Sequence, residues 1–125
     1  CEWITSDEEI AASYGRDPLR CFRFTVNAYD NMFVSIGEAQ SARRMRGIPK
    51  SLPLLLISGE CDPVGGFGKG VRAAYARYRA AGLQQVRCLL YPGCRHELLN
   101  EVNRETVYAD LLDWMNAHMA AGQKG

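Results

Sequence analysis

Two side chains in this sequence stand where a proton could be moved. They are Asp62, in Ser58-Gly59-Glu60-Cys61-Asp62-Pro63-Val64, and His96, in Tyr91-Pro92-Gly93-Cys94-Arg95-His96-Glu97. A carboxylate on one imidazole nitrogen fixes the histidine tautomer and stabilises the imidazolium that forms when the other nitrogen takes a proton. Each residue follows an apolar run. If those runs are adjacent parallel strands, roughly 5 Å apart, their loops leave the same edge of the sheet and the two groups can meet there. Alone, the aspartate reads as a turn former or helix cap and the histidine as a surface residue. Their joint placement reads as the acid and base of a serine-hydrolase site, in the order Asp then His expected after a nucleophile elbow.

The elements that must position them follow from the pattern. Residues 52–57 are an unbroken apolar run ending at Ser58-Gly59, which predicts a strand buried on both faces. Gly65, Gly66, Gly68 and Gly70 predict a flexible turn. A helix with Val71, Ala74, Tyr75, Tyr78 and Ala81 on one side follows, with Gly82 as its terminating glycine. Residues 86–91 predict a second strand, stopped by Pro92-Gly93. Asn103 is placed to cap a last helix carrying Val107, Leu111, Trp114, Met115 and His118 on one face. Residues 120–125 are expected to fray. Strand, helix, strand, helix reads as a crossover between parallel strands. Two such strands lack neighbours, so the chain reads as part of a larger folding unit.

The first 47 residues differ in character. Ser6 with Glu9 forms a capping box for a helix from Asp7 to Gly15, and Arg16-Asp17-Pro18 ends it. Thr25 caps a second helix with Val26, Tyr29, Phe33, Ile36 and, further on, Met45 along a face that Gly37 weakens. Arg43, Arg44 and Arg46 read as a solvated helix end. This divides the chain into residues 1–47, helical, and 48–125, alternating α/β.

Composition narrows the classes. Of 125 residues, 47% are hydrophobic and 23% charged, with a formal net charge of +1, so no strong field draws the chain to nucleic acid or anionic lipid. No apolar run is long enough for an integral membrane segment. The five cysteines, at 1, 21, 61, 88 and 94, form no C-x-x-C pair and fit free thiols in a reducing cytoplasm. The chain opens on Cys1 rather than Met, which suggests a start inside a longer protein. Three motifs fail on inspection. His96-Glu97-Leu98-Leu99-Asn100 lacks the second histidine of a zincin. Gly68, Gly70 and Ala73 lie too far past the strand for a dinucleotide fingerprint. Lys69 is followed by Gly70, not by the Ser or Thr of a phosphate-binding loop. No metal and no organic cofactor are expected.

Residues 48–119 resemble the C-terminal part of α/β-hydrolases of the serine aminopeptidase S33, or monoacylglycerol lipase and lysophospholipase-like, group. The resembling stretches are Ile48-Pro49-Lys50-Ser51-Leu52-Pro53, the Asp62 segment, Tyr78-Arg79-Ala80-Ala81-Gly82, and most specifically Tyr91-Pro92-Gly93-Cys94-Arg95-His96-Glu97-Leu98-Leu99-Asn100-Glu101. Residues 3–24, with Asp17-Pro18 and Phe22-Arg23-Phe24-Thr25, are similar to the end of the cap in that group. The resemblance implies the last two parallel strands and helices of an α/β-hydrolase core over residues 48–125, and a helical cap remnant over residues 1–47. It also implies that Asp62 is the triad acid and His96 the triad base, and that the substrate is an ester or lipid-like small molecule. The group's nucleophile lies in G-x-S-x-G, and none of Ser6, Ser13, Ser35, Ser41, Ser51 and Ser58 is set between glycines that way. The chain alone is therefore expected to have little triad activity, and the serine to come from a preceding N-terminal half. The rival reading is a non-catalytic binding module derived from a hydrolase, pairing through its open sheet edge.

Overall fold

A computed structural model describes residues 2–122; Cys1 and residues 123–125, with the end of the fraying tail expected there, lie outside the described residues. The order of elements is α1 (Glu8–Arg16), α2 (Val26–Ala39), α3 (Ala42–Arg46), β1 (Leu54–Gly59), α4 (Lys69–Ala80), β2 (Val86–Tyr91) and α5 (Arg104–Gly122), with short 3₁₀ turns at Pro18–Cys21 and Leu98–Asn100.

The first helix forms where expected but is capped differently. Asp7, not Ser6, is its N-cap: Oδ1 accepts from the N–H groups of Glu9 and Ile10, both at 3.1 Å. Ser6 is drawn away by a partner 95 residues distant. Asp17-Pro18 ends α1 as expected. Thr25 caps α2, its hydroxyl oxygen accepting from Ala28 N–H at 3.2 Å. The single apolar face expected from Val26 to Met45 does not exist. At Gln40 the backbone N–H turns back to Ile36 and Glu38, ending α2, and Met45 falls in the separate α3. Met45 is buried, whereas Val26 and Phe33 are 87% and 63% exposed, so the apolar side of α2 is unpacked. Arg43, Arg44 and Arg46 lie exposed in the last turn of α3, as read, with Arg44 2.8 Å from Glu38.

The two strands are parallel and adjacent, in register from Leu54 opposite Val86 to Gly59 opposite Tyr91. β1 starts two residues later than expected because Leu52 N–H turns back to Pro49 and Pro53 has no N–H to give a ladder. Leu54, Leu55, Leu56 and Ile57 are only half-buried, not buried on both faces, since among the described residues each strand has a neighbour on one edge alone. α4 closes on paired hydrogen bonds, Leu83 N–H to Tyr78 and Gly82 N–H to Arg79, which return the chain into β2 and bury Leu83.

The main core cluster lies beneath the loop that follows β2. Tyr91, Cys94, Leu98 and Val107 are buried together, with Ile57, Leu89 and Leu111 against them. Each large aliphatic side chain buried this way contributes roughly 1.5–3 kcal/mol. Of the face expected on α5, Val107 is fully buried, and Leu111, Trp114 and His118 are half-buried. Met115 is 50% exposed and departs from that face. The Tyr91 hydroxyl donates to Asp110 at 3.0 Å, and burial, with that carboxylate, pushes its pKa up to about 12. No helix among the described residues is long and apolar enough to cross a membrane.

Candidate active site

The loops after β1 and β2 are laced together. Glu60 N–H donates to the Tyr91 carbonyl at 3.0 Å and Cys61 N–H to the Cys94 carbonyl at 2.8 Å. This close approach requires Gly59. A Cβ there would overlap the carbonyl oxygens of Arg95 and Cys94, which are backbone and cannot rotate aside.

Asp62 is aimed by its own turn. Its Oδ1 accepts from Val64 N–H at 2.9 Å and its carbonyl from Phe67 N–H at 2.8 Å. The turn passes through left-handed φ values of 61° at Gly66, 57° at Phe67 and 79° at Gly68. Two glycines supply this conformation without steric cost, and Phe67 carries the strain. The glycine-rich stretch forms the turn expected of it, and its hydrogen bonds fix the carboxylate. With Oδ1 committed to the backbone, Oδ2 stands 3.2 Å from His96 Nδ1. The structure therefore brings together the two residues singled out from sequence. Asp62 is 6% exposed, and the His96 side chain is 40% exposed. With the proton on Nδ1 donated to Asp62, Nε2 keeps its lone pair and is the basic atom.

A groove of about 430 Å³ runs past this pair, lined by Ile57, Ser58, Asp62, His96, Leu98 and Leu99, among others. The Ser58 hydroxyl donates to the adjacent Gly59 carbonyl at 3.3 Å. Cys61, Cys88 and Cys94 are free thiols; Cys1 and the Cys21 side chain lie outside the described residues. Cys94 donates to Asn103 Oδ1 at 3.1 Å, and burial pushes its thiol pKa up, so it stays protonated and a poor nucleophile. That bond engages the side-chain oxygen of Asn103 expected to cap α5; its backbone carbonyl accepts from Thr106 at 3.0 Å. Among the described residues no three His, Cys, Asp or Glu side chains group to hold a metal ion.

The sequence reading missed the clamp on the His96 loop. Residues 2–7 lie along it: His96 N–H donates to Trp3 O (3.4 Å) and Glu97 N–H to Ile4 O (2.8 Å). The Trp3 and His96 rings are 5.2 Å apart at 51°. Thr5 Oγ donates to Asn100 O at 2.7 Å, and Arg95 reaches the carbonyls of Glu2 and Thr5. At the centre is Glu101, 1% exposed, accepting from Arg95 N–H on Oε1 and from Ser6 N–H and Oγ–H on Oε2. Only a charged residue beside an apolar stretch could have flagged it, which is a weak signal.

Burial works to raise the Glu101 pKa, but the Ser6 hydroxyl and the N–H groups of Arg95, Ser6 and Val102 outweigh it and hold the pKa below the ordinary 4.5. A depressed carboxyl pKa contributes stability above its unfolded value and loses it as pH falls through the folded value. Below pH 4.5 the clamp is therefore expected to loosen before the strands part. An acid titration followed by amide exchange checks this. Ser6 and Arg95 should lose protection at higher pH than Leu56 or Leu89, and simultaneous loss would refute it.

These elements are part of an α/β-hydrolase core. The model of the serine aminopeptidase S33 family matches residues 1–103, and the chain belongs to that family. A monoacylglycerol lipase of Mycolicibacterium smegmatis (strain ATCC 700084 / mc(2)155) is 25% identical over 119 residues, 93% of this chain and 39% of the relative. Among solved structures, a highly thermostable carboxyl esterase from Bacillus coagulans, in complex with glycerol, superposes with a TM-score of 0.76 at 31% identity. That match covers 93% of this chain and 38% of the esterase. A lipase in an open form gives 0.76 at 29% identity, covering 88% and 36%. The fold is that of α/β-hydrolases, of which this chain supplies two parallel strands and their helices. The chain spans less than two fifths of the length of each of these relatives.

Proposed function

We propose that this chain carries the acid and base of a Ser-His-Asp triad in an enzyme that hydrolyses carboxylic esters of lipid-like alcohols or acids. The observation that carries the reading is Asp62 Oδ2 at 3.2 Å from His96 Nδ1, each at the carboxyl end of its own strand. A serine from a longer gene product attacks the ester carbonyl carbon while His96 Nε2 takes its proton. The tetrahedral intermediate collapses, and the leaving alkoxide receives that proton from His96. Water, deprotonated by His96 in turn, cleaves the acyl-serine and releases the acid. Asp62 holds the imidazolium throughout. Residues 1–47 are the end of a cap over this site and residues 48–125 part of the core. The groove beside His96, lined by Ile57, Leu98 and Leu99, suits an apolar acyl chain.

The test is the intact mass of the native protein after reaction with a fluorophosphonate serine probe. A labelled species well above 13.9 kDa that contains this sequence supports the enzyme. In it, Asp62→Asn is expected to cut kcat by about a hundredfold or more, because the tautomer of His96 is no longer fixed. Full activity of that variant would overturn the acid assignment. The exposed apolar face of α2 and the strand edges left unpaired among the described residues favour the other reading, a non-catalytic interaction module. An unlabelled species of 13.9 kDa would select that reading.

A further inference from the structure

Glu101 is a costly residue to keep. A carboxylate that is 1% exposed has lost its water, and the donors facing it are a hydroxyl and backbone N–H groups rather than a neutralising guanidinium. Arg95 and Arg104 turn their guanidinium groups to carbonyls and to Asp7 instead. An apolar side chain could fill this space at no such cost, but it could not hold what Glu101 holds. Oε1 takes the N–H of Arg95, the residue immediately before His96. Oε2 takes both donors of Ser6, in the segment whose Trp3 ring lies against the imidazole and whose Trp3 carbonyl accepts from His96 N–H. One carboxylate thus fixes the peptide leading into His96 and the strap that walls its ring. Among the described residues it makes no hydrogen bond to His96, and it does not line the groove.

We propose that Glu101 is a positioning residue for His96, holding the imidazole in register with Asp62 through Arg95 N–H and the Ser6 strap. The inference rests on the reading of His96 as the catalytic base. Glutamine fits the same space, but its amide group places two hydrogens among donors that need an acceptor, so one of the two attachments is lost.

The test uses the longer gene product that carries the serine, with Glu101→Gln, Ser6→Ala and His96→Ala compared. Displacement of a catalytic group by about 1 Å can cost a hundredfold in rate. Glu101→Gln is therefore expected to lower kcat by about that factor with KM changed less than about threefold, and to slow fluorophosphonate labelling in proportion. Ser6→Ala, which leaves the Arg95 bond in place, is expected to give a smaller loss with the same split. Nitrogen-15 shifts of the His96 ring should move in both variants toward mixed tautomers, a change that loss of folded protein alone does not produce. Wild-type kcat in the folded variants, or losses that only track the folded fraction with an unaltered ring spectrum, would overturn the proposal. If Glu101→Gln does not fold, Ser6→Ala decides by the same criteria. If His96→Ala keeps turnover, the base assignment itself fails. If His96→Ala is inactive and the other two are unaffected, only the role of Glu101 fails.

Discussion

Replacing His96 by alanine in the longer hydrolase proposed above is expected to lower kcat by at least about a thousandfold, with little change in KM. The size follows from the role. Without an imidazole the serine hydroxyl must lose its proton to water, and the leaving alkoxide must depart without a proton donor, so both halves of the reaction slow. Binding changes little because the apolar wall of the groove, Ile57, Leu98 and Leu99, is untouched. Steady-state kinetics on a short-chain ester, with thermal unfolding as the control for folding, measures this. A His96→Ala enzyme that stays folded and keeps even a tenth of its turnover would remove the base assignment and with it the triad.

The second large effect is on stability. Gly59→Ala is expected to destabilise the fold by about 3 kcal/mol, the upper end for overpacking, since the clash is with backbone. The new methyl group would overlap the Arg95 and Cys94 carbonyls, and relief requires the His96 loop to lift away from β1. That motion also breaks the hydrogen bond from Cys61 N–H to the Cys94 carbonyl and carries His96 from Asp62. Activity should therefore fall with stability, below the loss that the folded fraction explains. A Gly59→Ala protein with an unchanged melting temperature would mean that the two loops are not this close.

Much of this arrangement was legible in the sequence because its causes are local. β2 is bounded as read, since an apolar run ending in Pro92-Gly93 admits few alternatives. Thr25 and Asp17-Pro18 act on neighbours within three residues, and their effects came out as expected. The meeting of Asp62 and His96 followed from one topological rule, that consecutive parallel strands open their loops on the same edge. What failed was decided at a distance. Ser6 matches a capping box, but Glu101 competes for its hydroxyl and Asp7 takes over the helix end. Periodicity carried an apolar face from Val26 on to Met45, but packing separates them, with Met45 buried and Val26 exposed. The central place of Glu101 depends on residues 2–7 returning after some ninety positions to lie on its loop, and no window along the chain contains both.

That return also separates what must be kept from what can change. Once residues 2–7 are fastened to the His96 loop, α1, α2 and α3 become an excursion between two anchored points. Doubling the length of such an excursion adds only about 0.6 kcal/mol to the cost of closing it. The helices over residues 8–46 can therefore be lengthened, shortened or exchanged for others while the fastening keeps Asp62 and His96 in place. On the function proposed above, selectivity for different esters can then diverge by rewriting the excursion while Asp62 and His96 keep their geometry.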